Sequence, residues 1–149
     1  IIFKDYIENN EDLIPRINKF NEGIPKNEKE ELKGKTLVTF DLQSDIVLPF
    51  NDIYDAQEQF KILANLSDKF EFNYSRSFVN TSKLEGYNLI NNIRKIDELV
   101  FSRGSVFTFE IENYKDELEL LNKIEEKGIG LRKNEGFGRV KICSSRGDN

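Results

Sequence analysis

A glycine-rich, basic segment near the end of the chain carries the residue types best suited to binding phosphate. It reads Gly-Ile-Gly-Leu-Arg-Lys-Asn-Glu-Gly-Phe-Gly-Arg and covers residues 128–139. Glycines let backbone amides approach a phosphate closely, and basic side chains neutralise its charge. The spacing fits neither a Walker A loop nor a dinucleotide-binding fingerprint. A structural role is the alternative, in which Gly128 ends a helix and Gly136 and Gly138 form a tight turn.

Chemistry that depends on histidine is excluded, because the sequence contains no His. The commonest general base and any histidine-dependent triad are therefore missing. A metal or cleavage site would need carboxylates alone, and Asp41 and Asp45 are more typical of caps or surface charges. Cys143, the one cysteine, cannot form an intramolecular disulfide and is expected to be a small core residue. The sequence favours a protein without a catalytic site, metal ion or cofactor.

The local distribution of charge is more informative than the net charge of −5. An acidic total argues against a nucleic-acid partner, since lysine and arginine dominate phosphate binding. Residues 110–126, however, hold seven acidic and two basic residues, whereas residues 127–141 hold five basic residues and one acidic residue. This pattern predicts a solvated acidic helix followed by a basic loop.

The composition indicates a folded protein with one principal domain. Of 149 residues, 38% are hydrophobic, and 12 Phe and 5 Tyr provide ample material for a core. No apolar run is long enough for a membrane span or a secretory signal. Together with the single cysteine, this favours a cytoplasmic location.

Hydrophobic periodicity predicts the elements that position the basic segment. Alternating side chains predict strands, a spacing of three to four residues predicts helices, and Asp55 with Glu58 has the spacing of a capping box. The elements are a strand at 36–42 continuing toward Leu48, a helix at 55–66, strands at 70–78 and 105–111, a helix at 114–124 and a strand at 139–142. Their order predicts an α+β, ferredoxin-like (RRM-like) βαββαβ sandwich with an antiparallel sheet and a C-terminal glycine-rich loop.

Residues 36–143 are predicted to form this domain, with a flexible tail at 144–149. Residues 1–35 combine a short helical pattern, interrupted by Pro15, with Pro25 and a run of charges. This is typical of a helical linker or of the remnant of an upstream domain. The first residues resemble the interior of a protein, so the chain is expected to be a fragment of a longer one.

A polar segment at 74–94 is a second candidate surface for RNA. It holds Arg76, Lys83, Tyr87 and Arg94 together with several asparagines. Charge, stacking and amide hydrogen bonds suit single-stranded RNA. A solvated insertion without a binding role is the equally weighted alternative.

Three motifs together resemble the RAMP superfamily of CRISPR-associated proteins. The segment 128–140 is similar to the glycine-rich loop near the C-terminus of RAMP proteins in type III effector complexes. Leu-Gln-Ser-Asp-Ile-Val-Leu at 42–48 resembles the first strand of a second RAMP domain, and Gly-Ser-Val-Phe-Thr-Phe at 104–109 resembles the entry to a later strand. The combination is most similar to the type III-D subunit that caps the 5′ end of the guide RNA. Such proteins usually have two ferredoxin-like domains, and the resemblance covers the C-terminal one.

The resemblance implies roles for single residues of the loop. Its glycines would shape the backbone, and its arginine and lysine side chains would contact phosphates. Phe137 would either stack on a base or fill the core, and its place between two glycines favours the core. The implied RNA-binding residues are Gly128, Gly130, Arg132, Lys133, Gly136, Phe137, Gly138 and Arg139, to which the polar segment adds Arg76 and Arg94.

The expected function is guide-RNA binding and assembly in a type III CRISPR ribonucleoprotein complex that acts in antiviral defence. The partners would be CRISPR guide RNA and the other effector-complex subunits, with no membrane and no small-molecule substrate. One alternative is a RAMP endoribonuclease that processes or cuts RNA, although the lack of histidine counts against it. Another is a protein-interaction scaffold whose acidic helix docks a basic neighbour without touching RNA.

Overall fold

The computed structural model describes residues 2–84, 87–88, 93–94 and 98–144, with side chains for 12–84 and 98–144. Its helices are α1 (Ile2–Glu22), α2 (Lys26–Leu32), α3 (Ala56–Ala64) and α4 (Leu118–Lys127). Its strands are β1 (Thr36–Leu42), β2 (Ile46–Val47), β3 (Glu71–Phe72), β4 (Thr81–Leu84), β5 (Tyr87–Asn88), β6 (Ile93–Arg94), β7 (Glu98–Phe101), β8 (Val106–Ile111) and β9 (Val140–Ile142). The predicted α+β class is confirmed, and the sheets are antiparallel.

The main sheet has the strand order β3-β8-β1-β9. Phe40 of β1 lies in one buried cluster with Phe60 of α3 and Leu121 of α4, so both helices pack against this sheet. The rings of Phe60 and Phe107 stack with centroids 4.2 Å apart. This aromatic core is a main source of stability, since each fully buried Phe contributes roughly 1.5–3 kcal/mol.

The residues that begin α3 and end α4 are the ones that the sequence predicts. Asp55 precedes α3, and its carboxylate accepts a hydrogen bond from the Glu58 amide at 3.3 Å. Gly128 ends α4 with a φ of 79°. The predicted helix at 114–124 begins as a 3₁₀ turn, Tyr114–Glu117, before α4 continues it. Capping is decided by neighbouring residues, which is why a local pattern could predict it.

The predicted strand at 70–78 is interrupted. Only β3, near its start, pairs regularly with β8, and the chain then forms a 3₁₀ turn at Tyr74–Arg76. The Asn73 side chain accepts the Arg76 amide at 3.1 Å and so stabilises the turn. Pairing with β8 resumes at Phe78. The aromatic alternation of the sequence runs through this turn, so periodicity alone predicted an unbroken strand.

A second sheet, with the order β2-β7-β4, was missing from the sequence prediction. The first strand was expected to continue toward Leu48, but it ends at Leu42 and the chain enters β2 instead. β4 and β7 form an antiparallel pair, here called the hairpin arm. β5 pairs with β6. The polar segment at 74–94 therefore contains paired strands.

The two N-terminal helices are integrated with the core. Leu13 and Ile17 of α1 are fully buried in the cluster beneath the main sheet, and α1 continues through Pro15. α2 forms from charged residues that were expected to be linker, and its Leu32 is buried in a small cluster beside β1. That this segment derives from an upstream domain stays a prediction. Across the described ranges, no helix has the length and apolarity needed to cross a membrane.

Cys143 follows β9 and is 1% exposed, as expected of a core residue. Burial raises the pKa of its thiol to about 11. At pH 8 about one thousandth of such a thiol is ionised, against roughly a quarter of a free thiol, and only the thiolate is alkylated. We expect native Cys143 to react with iodoacetamide at least about a hundredfold more slowly than in the unfolded chain.

Mass spectrometry after timed quenching measures both alkylation rates. The guanidinium-unfolded chain is the control, because it carries the same thiol without the burial. Equal rates in the native and unfolded states would show that the thiol is not buried in solution.

Candidate nucleic-acid interface

The glycine loop, residues 128–139, is fastened to the protein through its own backbone. It connects α4 to β9. The Leu131 amide donates to a β2 carbonyl at 2.9 Å, and the Gly138 amide donates to the Asp45 carbonyl at 2.8 Å. The Ile129 amide donates to the Gly138 carbonyl at 2.9 Å. These amides are satisfied within the protein and are not free to cradle a phosphate.

Three glycines of the loop lie where a side chain would collide with backbone. A Cβ on Gly138 would lie 2.0 Å from the Ile129 carbonyl oxygen, and one on Gly130 would lie 2.6 Å from a β2 carbonyl oxygen. A Cβ on Gly128 would approach the Gly138 oxygen to 2.7 Å. Gly136 differs, because nothing lies within 4 Å of its Cβ position. The geometry thus supports the structural alternative at Gly128, which ends α4, at Gly136, which ends a 3₁₀ turn with a φ of 95°, and at Gly138, and it adds a structural role for Gly130.

Arg132 is held between two carboxylates. Its Nε and Nη2 donate to the two oxygens of Glu135 at 2.7 and 3.1 Å, and its Nη1 donates to Glu98 of the hairpin arm at 2.7 Å. The guanidinium also lies over the Phe137 ring, 5.1 Å from its centroid. The hydrogen bond to Glu135 raises the pKa of Arg132, and the same bond lowers the pKa of Glu135. We call these four residues the arginine clamp.

Phe137 lies at the surface of the loop rather than in the core. It is half-buried and belongs to neither hydrophobic cluster of the described residues. The core role that its position between two glycines favoured is therefore not observed, because the loop runs along the surface and its ring packs against Arg132. Stacking of Phe137 on a base stays a prediction.

Four basic side chains of the loop and its flanks are exposed and form no ion pair with a described carboxylate. They are Lys127, Lys133, Arg139 and Lys141. Arg139 directly precedes β9 and Lys141 is its second residue, and side chains two residues apart in an extended chain point to the same side of the sheet. The Arg139 amide donates to Ser44 Oγ at 2.9 Å, which anchors this end of the loop. The positive charge of the segment is therefore carried by these four residues and not by Arg132.

The two arginines of the polar segment are not brought to the loop by the described contacts. Arg76 forms an ion pair with Glu28 of α2, and its carbonyl accepts a hydrogen bond from Thr108 of β8 at 2.8 Å. It thus lies beside β8 and β3, whereas the loop enters β9 at the other edge of the sheet. The backbone of Arg94 belongs to β6, and the placement of its side chain lies outside the described residues.

The two aspartates considered for metal binding or cleavage both hold backbone in place. Asp41 is 4% exposed and accepts a hydrogen bond from the Ser144 amide at 3.0 Å. Asp45 accepts one from the Arg103 amide at 2.7 Å, at the turn before β8. This agrees with their interpretation as caps. The described residues contain no group of three or more His, Cys, Asp or Glu side chains that could hold a metal ion.

Sequence reasoning missed Glu98, which neutralises Arg132 from the hairpin arm. The two residues are 34 positions apart, and no local pattern connects them. The one available signal was an acidic residue at the start of the otherwise apolar strand Glu-Leu-Val-Phe.

The candidate interface combines a fixed loop backbone, a neutralised arginine and exposed cations on both sides of the loop. Several separated cations on a rigid support are suited to contacting successive phosphates of one strand. No protein-family model matches the sequence of this chain, and a search of curated proteins found no match to it.

Proposed function

We propose that this chain is a non-catalytic RNA-binding and assembly subunit of a type III CRISPR effector complex, as its resemblance to RAMP proteins implies. The observation that carries RNA binding is the set of exposed cations around the glycine loop that no described carboxylate neutralises: Lys127, Lys133, Arg139 and Lys141. The loop backbone is already hydrogen-bonded at Ile129, Leu131 and Gly138, so little ordering is needed when RNA binds. Guide RNA is the ligand that the resemblance implies.

We further propose a ferredoxin-like fold for residues 36–143. The elements β1, α3, β3, β8, α4 and β9 follow one another in the order β-α-β-β-α-β, and their strands form one antiparallel sheet. That order is the one expected of this fold. The N-terminal helices and the second sheet are then additions to it.

The acidic remainder of the chain is compatible with an RNA ligand. Charges on exposed side chains are largely screened beyond about 8–10 Å at physiological salt. Binding therefore depends on the charges within one such distance of the RNA, and not on the net charge of −5. Glu112, Glu119 and Glu126, which are exposed, belong to the segment before the loop and would oppose binding only where RNA approaches it.

The double variant K133E/R139E is expected to bind single-stranded RNA about tenfold or more weakly than the native chain, because each substitution turns an attractive charge into a repulsive one. K115E/K123E is the matched control. It makes the same change in net charge at two exposed positions before the loop, on the 3₁₀ turn and on α4. Fluorescence anisotropy with a labelled RNA measures all three affinities.

Equal losses in both double variants would mean that binding follows net charge and not the glycine loop. If neither double variant loses affinity, the loop is not part of the RNA site. Crosslinking in the intact complex purified from cells tests the guide RNA itself, since adducts are expected on peptides spanning residues 127–141. Adducts confined to other subunits would indicate a scaffold that does not touch RNA.

A further inference from the structure

Arg132 has a backbone conformation that is rare for its residue type. Its φ of 58° and ψ of 34° lie in the left-handed region, where a Cβ crowds the backbone. Residues persist in this region only when surrounding contacts hold them there. Here the contacts are those of the arginine clamp, because the side chain of Arg132 is bound on three sides.

Three of the five N–H donors of the Arg132 guanidinium are already engaged. Each of its three nitrogens donates to a carboxylate oxygen, of Glu98 or Glu135. Two carboxylates outweigh one positive charge, so the clamp as a whole attracts no anion. The Phe137 ring covers one face of the guanidinium plane. One N–H on each Nη remains, but a phosphate that used them would approach a group of side chains with net negative charge.

The clamp joins the glycine loop to the hairpin arm. Glu98 is the first residue of β7, and Arg132 directly precedes the 3₁₀ turn Lys133–Glu135. The Glu135 amide donates to the Arg132 carbonyl at 3.0 Å, so two clamp residues close the turn that carries Lys133. The position of Lys133 relative to the arm therefore depends on the ion pair between Arg132 and Glu98.

We infer that Arg132 is a positioning residue of the RNA site, which locks the glycine loop to the hairpin arm and leaves phosphate contact to Lys133 and Arg139. This differs from the phosphate-binding role that the resemblance implies for Arg132. The inference rests on the proposed function, because it assigns the parts of the same RNA site.

The salt dependence of RNA binding separates a positioning residue from a phosphate ligand. Each phosphate neutralised on a single strand adds about 0.7 to the slope of log affinity against log salt concentration. K133Q is expected to reduce the slope by about that amount. R132Q is expected to keep the native slope and to weaken binding about threefold at every salt concentration. If R132Q reduced the salt slope by as much as K133Q does, the inference would be overturned.

The variant E98Q is the sharper test, because the two roles of Arg132 predict opposite signs. If Arg132 binds phosphate, loss of a neighbouring carboxylate frees it and binding tightens. If Arg132 positions the loop, E98Q weakens binding about threefold, and R132Q/E98Q is no weaker than R132Q alone. E119Q, at an exposed position of α4, is the control for removing a negative charge. Tighter binding by E98Q would contradict the clamp.

Hydrogen exchange provides a readout that needs no RNA. The Leu131 amide, which ties the loop to β2, is expected to exchange about threefold or more faster in both R132Q and E98Q than in the native chain. Unchanged exchange would overturn the positioning role whether or not RNA binds. Failure of the native chain to bind RNA, with faster exchange in both variants, would instead overturn the proposed function alone.

Discussion

Replacing Gly138 with alanine is expected to lower the free energy of unfolding by about 3 kcal/mol. The new Cβ would lie 2.0 Å from the Ile129 carbonyl oxygen, and the φ of 81° is strained for any residue with a side chain. The neighbour is backbone and cannot rotate away, so the loop must shift and lose its hydrogen bonds to Asp45 and Ile129. Urea denaturation followed by circular dichroism measures the change.

Gly136→Ala is the matched control for Gly138→Ala. Gly136 has a φ of 95° in the same loop, but its Cβ position is open. Only the backbone strain applies there, so a loss of about 1 kcal/mol is expected. Similar losses for the two variants would mean that the close approach of Gly138 to Ile129 contributes nothing in solution. The difference between them isolates the structural role of the loop's glycines.

Replacing Glu125 with alanine is expected to destabilise the fold by about 3 kcal/mol. The Glu125 carboxylate accepts two hydrogen bonds from Arg16 of α1, at 2.6 and 2.8 Å. It also accepts one from the Ile142 amide at 2.7 Å, on the outer edge of β9. The side chains of Arg16 and Glu125 are only 16% and 18% exposed. Loss of Glu125 would leave the largely buried Arg16 with only the exposed Asp12 and the Ile142 carbonyl as partners, and it would leave the Ile142 amide without one.

Asp12→Ala removes the other carboxylate bound to Arg16 and serves as the control for Glu125→Ala. The Asp12 side chain is 71% exposed, so its ion pair with Arg16 is expected to contribute about 0.5 kcal/mol. Thermal and urea unfolding of both variants give the comparison. If Glu125→Ala also lost only about 0.5 kcal/mol, the ion pair between Arg16 and Glu125 would not hold α1 against the sheet edge.

The larger elements were predictable because their signals are local. The strand at 36–42, the strand that became β8 and both helices of the main layer follow from side-chain spacing and from caps such as Asp55 and Gly128. The turn at Tyr74–Arg76 was not predictable in this way, since it depends on a side-chain bond from Asn73 that leaves the aromatic alternation intact. The second sheet was missed because strands of two to four residues carry too little pattern to detect.

The candidate site was predictable as a segment but not as a set of roles. Glycines among basic residues marked the loop, and Lys133 and Arg139 are exposed there as expected. Arg132 looked equivalent to them, yet its partner Glu98 comes from another strand. Phe137 is likewise placed by the guanidinium that it packs against. Which cations stay free depends on these pairings.

The sequence by itself determined the α+β class, the order of the main elements and the contrast between an acidic helix and a basic loop. These properties depend on periodicity, caps and composition, which act over a few neighbouring residues. Only the tertiary structure decided that α1 packs into the core, that the loop amides are bound to β2 and Asp45, and that Arg132 is neutralised. Each of these depends on contacts between residues far apart in the chain, where a hydrogen bond or ion pair forms only after the sheet has brought them together.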